Sequence, residues 1–209
     1  KEGDFITAPN ITRLFSEILA IWIITFWKSI GAPKKFNLLE LGAGNGEMMK
    51  VIFDTLKNFP ECFAACNFMI HEKSNFLINQ QKENLNSEKI IWVKDIKEIN
   101  SLPIIYLANE FFDALPIKQF FKKKNDWVER FVYLEDQKKA KFKNQKIDIK
   151  ILEKSLNFEI SKYQNIIEYS PLTFKYLRVI CDIIQKNNGG ILIIDYGYLN
   201  SKMHETLQA

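Results

Sequence analysis

A chain of 209 residues with 47% apolar and 26% charged residues can bury one substantial core plus a small insertion, which excludes intrinsic disorder and minimal disulfide-stapled scaffolds. Lys and Arg at 29 against Asp and Glu at 25 leave a net charge of +4, a mixed surface rather than a nucleic-acid footprint. Cys62, Cys66 and Cys181 are odd in number and lack C-x-x-C spacing, the usage of a reduced intracellular protein.

No signal or transit peptide is visible, but the sequence opens at Lys1-Glu2-Gly3-Asp4 without an initiator Met and reads as a fragment, so that absence carries little weight. Ile11, Leu14, Phe15, Ile18, Leu19 and Trp22 recur at helical spacing and predict an N-terminal helix over Ile11 to Ser29, stopped by Gly31-Ala32-Pro33. Its most apolar run, Ile18 to Trp27, is too short to span a bilayer and is closed by Lys28, so no membrane insertion is expected. Next come a strand at Asn37 to Leu41, a helix from Glu47 to Asn58, a strand at Phe68 to His71 and a helix over Asn75 to Leu85. Strands at Ile90 to Val93 and Ile104 to Ala108 follow, and the alternation predicts a parallel sheet with helices on both faces.

From Ile117 the pattern changes. Gln119-Phe120-Phe121, Val128 to Tyr133 and Phe142 to Ile149 are short apolar or alternating runs between charged turns, which predicts an inserted antiparallel β element reaching Ser161. Trp127 and Arg130 are read as shaping a substrate wall. A helix over Pro171 to Lys186 is ended by Asn188-Gly189-Gly190 and followed by a buried strand, Ile191 to Ile194. The tail is too short to complete a doubly wound sheet, so residues are expected beyond Ala209.

Leu38-Leu39-Glu40-Leu41-Gly42-Ala43-Gly44-Asn45-Gly46-Glu47 carries an apolar strand into a loop with glycine at every second position, then into a helix. Glycine is required where a backbone turns at positive φ and meets a ligand more closely than a Cβ allows. A dinucleotide fingerprint needs a further glycine where Glu47 stands, and Glu47 sets a carboxylate where a pyrophosphate belongs. S-adenosylmethionine (SAM) has no phosphate and carries a sulfonium and an ammonium, so Glu40 suits its charge. The loop thus predicts SAM held by Glu40, Gly42, Gly44 and Gly46.

Ligands of such sheets bind beyond the carboxyl ends of the strands, near the point where strand order reverses. Glu72, closing the second strand, can accept from both ribose hydroxyls; the alternative is a solvated carboxylate before the next helix. Asp95, after the third, can accept from the adenine amino group or serve as a helix N-cap. Asn109, Glu110 and Asp113 at the mouth of the fourth strand are the substrate-side candidates, because polar groups there are costly unless paired. His71 and His204 stand alone and are expected to be structural, so no metal is expected. The lysines at 122–124 and 138–146 interleave with aromatics as a hairpin with one solvated face does, and nucleic acid is not the expected partner.

With those residues in hand, the chain resembles the MidA family of class I methyltransferases, the mitochondrial complex I assembly arginine methyltransferases and their bacterial relatives. Gly3-Asp4-Phe5-Ile6-Thr7-Ala8-Pro9 is similar to the family's G-D-F-x-T-[AS]-P box, and Glu40 to Gly46 to its E-x-G-x-G-x-G loop. Ala108-Asn109-Glu110-Phe111-Phe112-Asp113-Ala114-Leu115-Pro116 is the most diagnostic match. Trp127-Val128-Glu129-Arg130, Glu168-Tyr169-Ser170-Pro171, Asp195-Tyr196-Gly197 and Thr206-Leu207-Gln208-Ala209 complete the series. Phe15-Ser16-Glu17 and Ala43 depart from the family's F-G-E and its common proline without removing a ligand group.

The resemblance implies a Rossmann-like, doubly wound α/β fold: residues 1–34 a helical segment closing over the cofactor, 35–116 with 171–209 the SAM-binding core, and 117–170 a β-rich insertion on the substrate side. It implies methyl transfer from SAM to an arginine of a protein, such as a respiratory complex I subunit. Glu110 and Asp113 would hold the guanidinium through bidentate hydrogen bonds, with Asp4 as a third carboxylate closing over the cofactor. The competing expectations are a SAM-binding assembly factor with little turnover, and an RNA or small-molecule methyltransferase. A bacterial cytoplasm, or the mitochondrial matrix of a eukaryote, is the expected location, and the sequence assigns no oligomeric state.

Overall fold

The computed structural model describes residues 8–135, 139–197, 203, 205 and 206. The chain divides into two compact units, Lys1–Ala114 with Tyr176–Asp195, and Leu115–Lys175 with Tyr196–Ala209.

The first unit is built on a parallel sheet of β1 (Phe36–Leu41), β2 (Cys66–His71), β3 (Ile90–Val93), β4 (Ile104–Asn109) and β9 (Gly189–Ile194), in the order β3-β2-β1-β4-β9. All six residues of β1 are buried, as a central parallel strand covered on both faces requires. The strands expected from the sequence are all present, with β2 and β9 each starting two residues earlier than read. The helix before Gly189 and Gly190 ends at Asn187, as Asn188-Gly189-Gly190 predicts, and the two glycines also begin β9, opposite Ile104 and Ile105: a Cβ on Gly189 would strike the Ile104 carbonyl oxygen, and one on Gly190 the Phe26 ring.

The expected N-terminal helix is two pieces, α1 (Ala8–Ile11) and α2 (Arg13–Ser29). Thr12 between them is extended and accepts from the Leu14 amide through its hydroxyl, an N-cap that interrupts the helix. Helix α2 buries Leu19, Ala20, Ile23, Ile24 and Trp27 and leaves Leu14 and Ile18 exposed. It is apolar almost all round, so its periodicity alone does not select the buried face. Helices α3 (Glu47–Leu56) and α5 (Asn75–Leu85) stand where the sequence predicts, the latter capped by Ser74. Helix α4 (Pro60–Ala65) went unread: six residues are too short to show a period, and Pro60 at its first turn is the one local signal. Its Cys62 joins Phe36, Met49, Phe68 and Ile70 in the main core.

The second unit is an antiparallel sheet, β7-β6-β5-β8, from β5 (Lys118–Lys123), β6 (Asp126–Glu135), β7 (Lys139–Ile147) and β8 (Ile166–Tyr169). The expected β element is therefore present, but it is not all β as far as Ser161. Asp148 accepts from the Lys150 amide and starts α6 (Ile149–Leu156), whose Ile149 packs with Phe120, Trp127 and Ile167. Trp127 is thus a core residue at 6% exposure, which corrects its reading as a substrate wall. Arg130 lies 4.0 Å from the Phe121 ring centre and 4.8 Å from that of Phe142, and it pairs with Glu205. Helix α7 (Pro171–Asn187) ends one residue later than read and buries Tyr176 and Ile180. Among the described residues no helix is long and apolar enough to cross a membrane.

Candidate cofactor and substrate site

Strand β1 pairs with β2 on one side and β4 on the other, so strand order reverses between β1 and β4. Within the first unit this brings two loops to the crevice where ligands of open α/β sheets bind: Gly42 to Gly46 after β1, and Asn109 to Asp113 after β4.

Gly42, Gly44 and Gly46 all have positive φ, at 66°, 56° and 86°. They differ in what a side chain would meet. A Cβ on Gly42 would lie 2.7 Å from Cδ2 of Phe111, whereas a Cβ on Gly44 would meet nothing within 4 Å. Gly42 is thus flat against the protein, and Gly44 faces open space. The Asn45 side chain accepts from the Glu47 amide at 3.1 Å in an Asx turn just ahead of α3, whose N-cap is Gly46.

Glu40 is 3% exposed, and its Oε2 has no hydrogen-bond partner among the described residues. Burial raises its pKa to about 8, and a hydrogen bond from the Met49 amide only partly offsets this. A desolvated carboxyl with an open lone pair fits a cationic ligand, and positive-φ glycines with open space at Gly44 fit a close-lying one, so the residues present suit SAM. Gly42, Gly44 and Gly46 would hold it by backbone approach and Glu40 would face its charge.

Glu72 directly follows β2, at the carboxyl end of the strand where it was expected. Its Oε1 accepts from the Lys73 and Ser74 amides at 2.8 Å each, and Oε2 lies 3.4 Å from Nε2 of Gln81. Asp95 caps a short 3-10 turn, its Oδ1 accepting from the Lys97 amide at 3.0 Å, with Oδ2 taking no part in that cap. Asp4 and His204 lie outside the described residues. Among the described residues no group of three or more His, Cys, Asp or Glu side chains could hold a metal ion.

Asn109 is the last residue of β4, and Glu110 turns the chain at φ 47°, a strained conformation for a side chain of that size. The strain is held from both sides. The Glu110 amide donates to the Ile194 carbonyl at 2.8 Å, and the Phe112 and Asp113 amides donate to one oxygen of Asp195 at 3.1 and 3.2 Å. Desolvation, then the Asp195 charge, raises the pKa of Asp113.

Sequence reasoning missed three contributors here. Asp195 appeared only within the Asp195-Tyr196-Gly197 box, with no role assigned, and nothing local shows that it fastens a loop more than eighty residues away. Phe111 was seen only within its motif. Gln81 is fully buried, its Nε2 donating to the Gly44 carbonyl at 2.8 Å and its Oε1 accepting from the Trp92 indole at 2.9 Å. A buried glutamine on a helix with otherwise apolar inward positions was the available signal. Gln81→Leu keeps the volume but strands the Gly44 carbonyl and the Trp92 indole N–H. We expect a stability loss of about 2–3 kcal/mol in urea unfolding.

Comparison with known proteins follows the same lines. The chain is 27% identical over 226 residues to "Protein arginine methyltransferase NDUFAF7, mitochondrial" of Xenopus laevis, covering 97% of this chain and 52% of that protein. The Homo sapiens protein of the same name is 27% identical over 231 residues, covering 97% and 51%, and the Caenorhabditis elegans homolog 28% over 232 residues, covering 100% and 54%. The chain therefore spans about half the length of the curated relatives it matches. A COG1565 superfamily member from Burkholderia thailandensis, solved with S-adenosyl-homocysteine bound, superimposes with a TM-score of 0.73 at 20% identity, covering 94% of this chain and 50% of that one. A native structure of a COG1565 protein from the same organism gives 0.72 at 21%, covering 94% and 52%, so the chain has the fold of these proteins. Residues 18–209 match the family described as "Putative S-adenosyl-L-methionine-dependent methyltransferase", and the chain belongs to that family, with SAM as its cofactor.

Proposed function

We propose that the protein transfers a methyl group from SAM to an arginine side chain of a protein substrate. The observation that carries this reading is the acidic loop Asn109 to Asp113, fastened by Asp195 and set at the switch point beside the glycine loop with its buried Glu40. The names of the curated relatives support arginine as the acceptor. The resemblance to the MidA family makes a respiratory complex I subunit the first target to try. It also suggests a bacterial cytoplasm, or the mitochondrial matrix if the source is eukaryotic.

When bound, SAM supplies an electrophilic methyl on a sulfonium. Glu72 accepts from the ribose hydroxyls through Oε2, its other oxygen being engaged by two amides. Asp95 accepts from the adenine amino group through the oxygen not used in capping. Asn109, Glu110 and Asp113 take the guanidinium, whose charge two carboxylates hold in a fixed orientation. Transfer would form an N–C bond and break the methyl–sulfur bond, leaving the neutral thioether S-adenosyl-homocysteine; the attacking nitrogen would lose a proton, and Asp113, with its raised pKa, is suited to accept it.

Two measurements test this. In titration calorimetry SAM should bind saturably to the wild type and fail to bind Gly44→Val/Glu72→Ala. In a methyl-transfer assay against complex I subunits, Glu110→Gln should lower turnover by about 100-fold or more while leaving SAM affinity within about threefold. Methylation of an RNA or a metabolite with none of any protein would displace the arginine reading. Full partner binding and biological activity in a Glu110→Gln variant would point to an assembly factor.

A further inference from the structure

His71 was expected to be a satisfied structural histidine, and it is one: it ends β2 at 3% exposure with both ring nitrogens engaged. The identity of those partners says more. Nδ1 lies 2.9 Å from the Val93 carbonyl oxygen, which can only accept, so Nδ1 carries the proton. In the neutral ring Nε2 is then an acceptor, and the Tyr176 hydroxyl, 2.8 Å away, donates to it. Burial holds the imidazole pKa below its ordinary value, with the Val93 carbonyl opposing, Lys73 adding to the depression, and Glu72 and Asp95 opposing it. The ring is therefore neutral at pH 7, and the direction of the Tyr176 hydroxyl is set.

Tyr176 passes this constraint on. Its ring, on α7, meets Phe111 edge to face, with centres 5.2 Å apart and an angle of 87°, and the Lys73 ammonium lies 5.2 Å from the Tyr176 ring centre. Phe111 in turn fills the space a side chain would take at Gly42. The Gly42 amide donates to the backbone carbonyl of His71 at 3.0 Å. The last residue of β2 thus grips the first glycine of the loop twice, directly through its backbone and at longer range through Tyr176 and Phe111.

We propose that His71 and Tyr176 are a positioning pair that holds Phe111 against Gly42 and so pre-organises the glycine loop for SAM. Three glycines at positive φ give that loop many alternative conformations in the absence of such support. A loop already held in its binding shape loses less entropy when the cofactor arrives. The pair touches no reacting atom; it acts through Phe111. The proposal rests on the reading of the glycine loop as the SAM site.

The test is titration of SAM into the wild type, Tyr176→Phe, Phe111→Leu and the double variant at pH 7.5, with thermal unfolding of each. Tyr176→Phe keeps the ring and removes only the hydroxyl that His71 directs. Its Kd for SAM should rise about fivefold, the equivalent of one net hydrogen bond. Phe111→Leu should weaken binding by at least as much, and adding Tyr176→Phe to it should change Kd by less than twofold, because the constraint no longer has a carrier. His71→Asn, which keeps a donor toward Val93 and loses the acceptor for Tyr176, should reproduce the Tyr176→Phe value. A purely structural role would lower the melting temperature and leave this coupling in Kd absent. Unchanged affinity in Tyr176→Phe, or an equal loss in the presence and absence of Phe111, would overturn the proposal. No binding by a folded wild type would overturn the SAM site itself, and the positioning role with it.

Discussion

Gly189→Ala is expected to destabilise the protein by about 3 kcal/mol or more, enough to remove a large part of the stability of a domain this size. Gly189 has φ 134°, a region closed to other residues, and it sits at the first pairing of β9 with β4. A Cβ there would lie 1.9 Å from the Ile104 carbonyl oxygen and 2.8 Å from its carbon and nitrogen. Those are backbone atoms of a central strand, so relief requires moving the strand itself. Gly31→Ala is the matched control: its φ of 92° carries conformational strain, but nothing lies within 4 Å of the added methyl. Urea unfolding of the two variants separates the effects. A Gly189→Ala loss no larger than that of Gly31→Ala would show that β9 can shift away from β4.

Glu40→Gln should flatten the pH dependence of stability. In the folded chain the carboxyl titrates near 8 rather than 4.5, so between those values the folded state keeps a proton that the unfolded state has released. Stability of the ligand-free protein therefore falls as pH rises from about 4.5 to about 8 and then levels, by roughly 5 kcal/mol at most. Asp113 adds a smaller slope of the same sign. The Gln variant keeps an acceptor for the Met49 amide, loses the ionisation, and should outlast the wild type in urea at pH 9. The cofactor reading adds a second consequence. A cation bound beside the carboxyl favours its ionised form, so SAM binding at pH 7 should release up to about 0.9 proton in the wild type and far less in Glu40→Gln. Titration in buffers of different ionisation enthalpy measures this directly. Equal proton release by both proteins would place the ligand's charge away from Glu40.

Much of the first unit was legible because its physics is local. Strands β1 to β4 are short, mostly apolar runs, and α5 is bounded by Ser74 as its N-cap and by Asn86 in the left-handed conformation, signals carried by the residues themselves. The alternation of such elements predicts a parallel sheet with helices on both faces, and the glycine spacing marks the turn after β1. The elements that escaped notice, α4, α6 and β8, have six, eight and four residues, too few for a period to stand out from its surroundings. The β element was recognised from alternation, but the same rule carried it through Ile149. There the apolar residue belongs to a helix that covers the sheet rather than to the sheet.

The candidate site divides along the same line. Gly42, Gly44, Gly46 and Glu40 declare themselves because a backbone at positive φ demands glycine, and because a carboxyl in an apolar strand demands a reason. Glu72, Asp95 and the Asn109 to Asp113 loop were placed by the rule that ligands gather at strand ends. What no local pattern contains is how these parts are held. Asp195 fastens the Asn109 to Asp113 loop, Gln81 braces Gly44 from α5, and His71 reaches Phe111 through Tyr176 on the last long helix. The sequence by itself determined the fold class, the cofactor turn and the acidic character of the loop beside it, because propensity, periodicity and the geometry of glycine act over a few residues. Only the tertiary structure decided which side chains hold that turn and that loop in place, because those hydrogen bonds and ring contacts join residues that the parallel crossovers keep far apart in the chain and near in space.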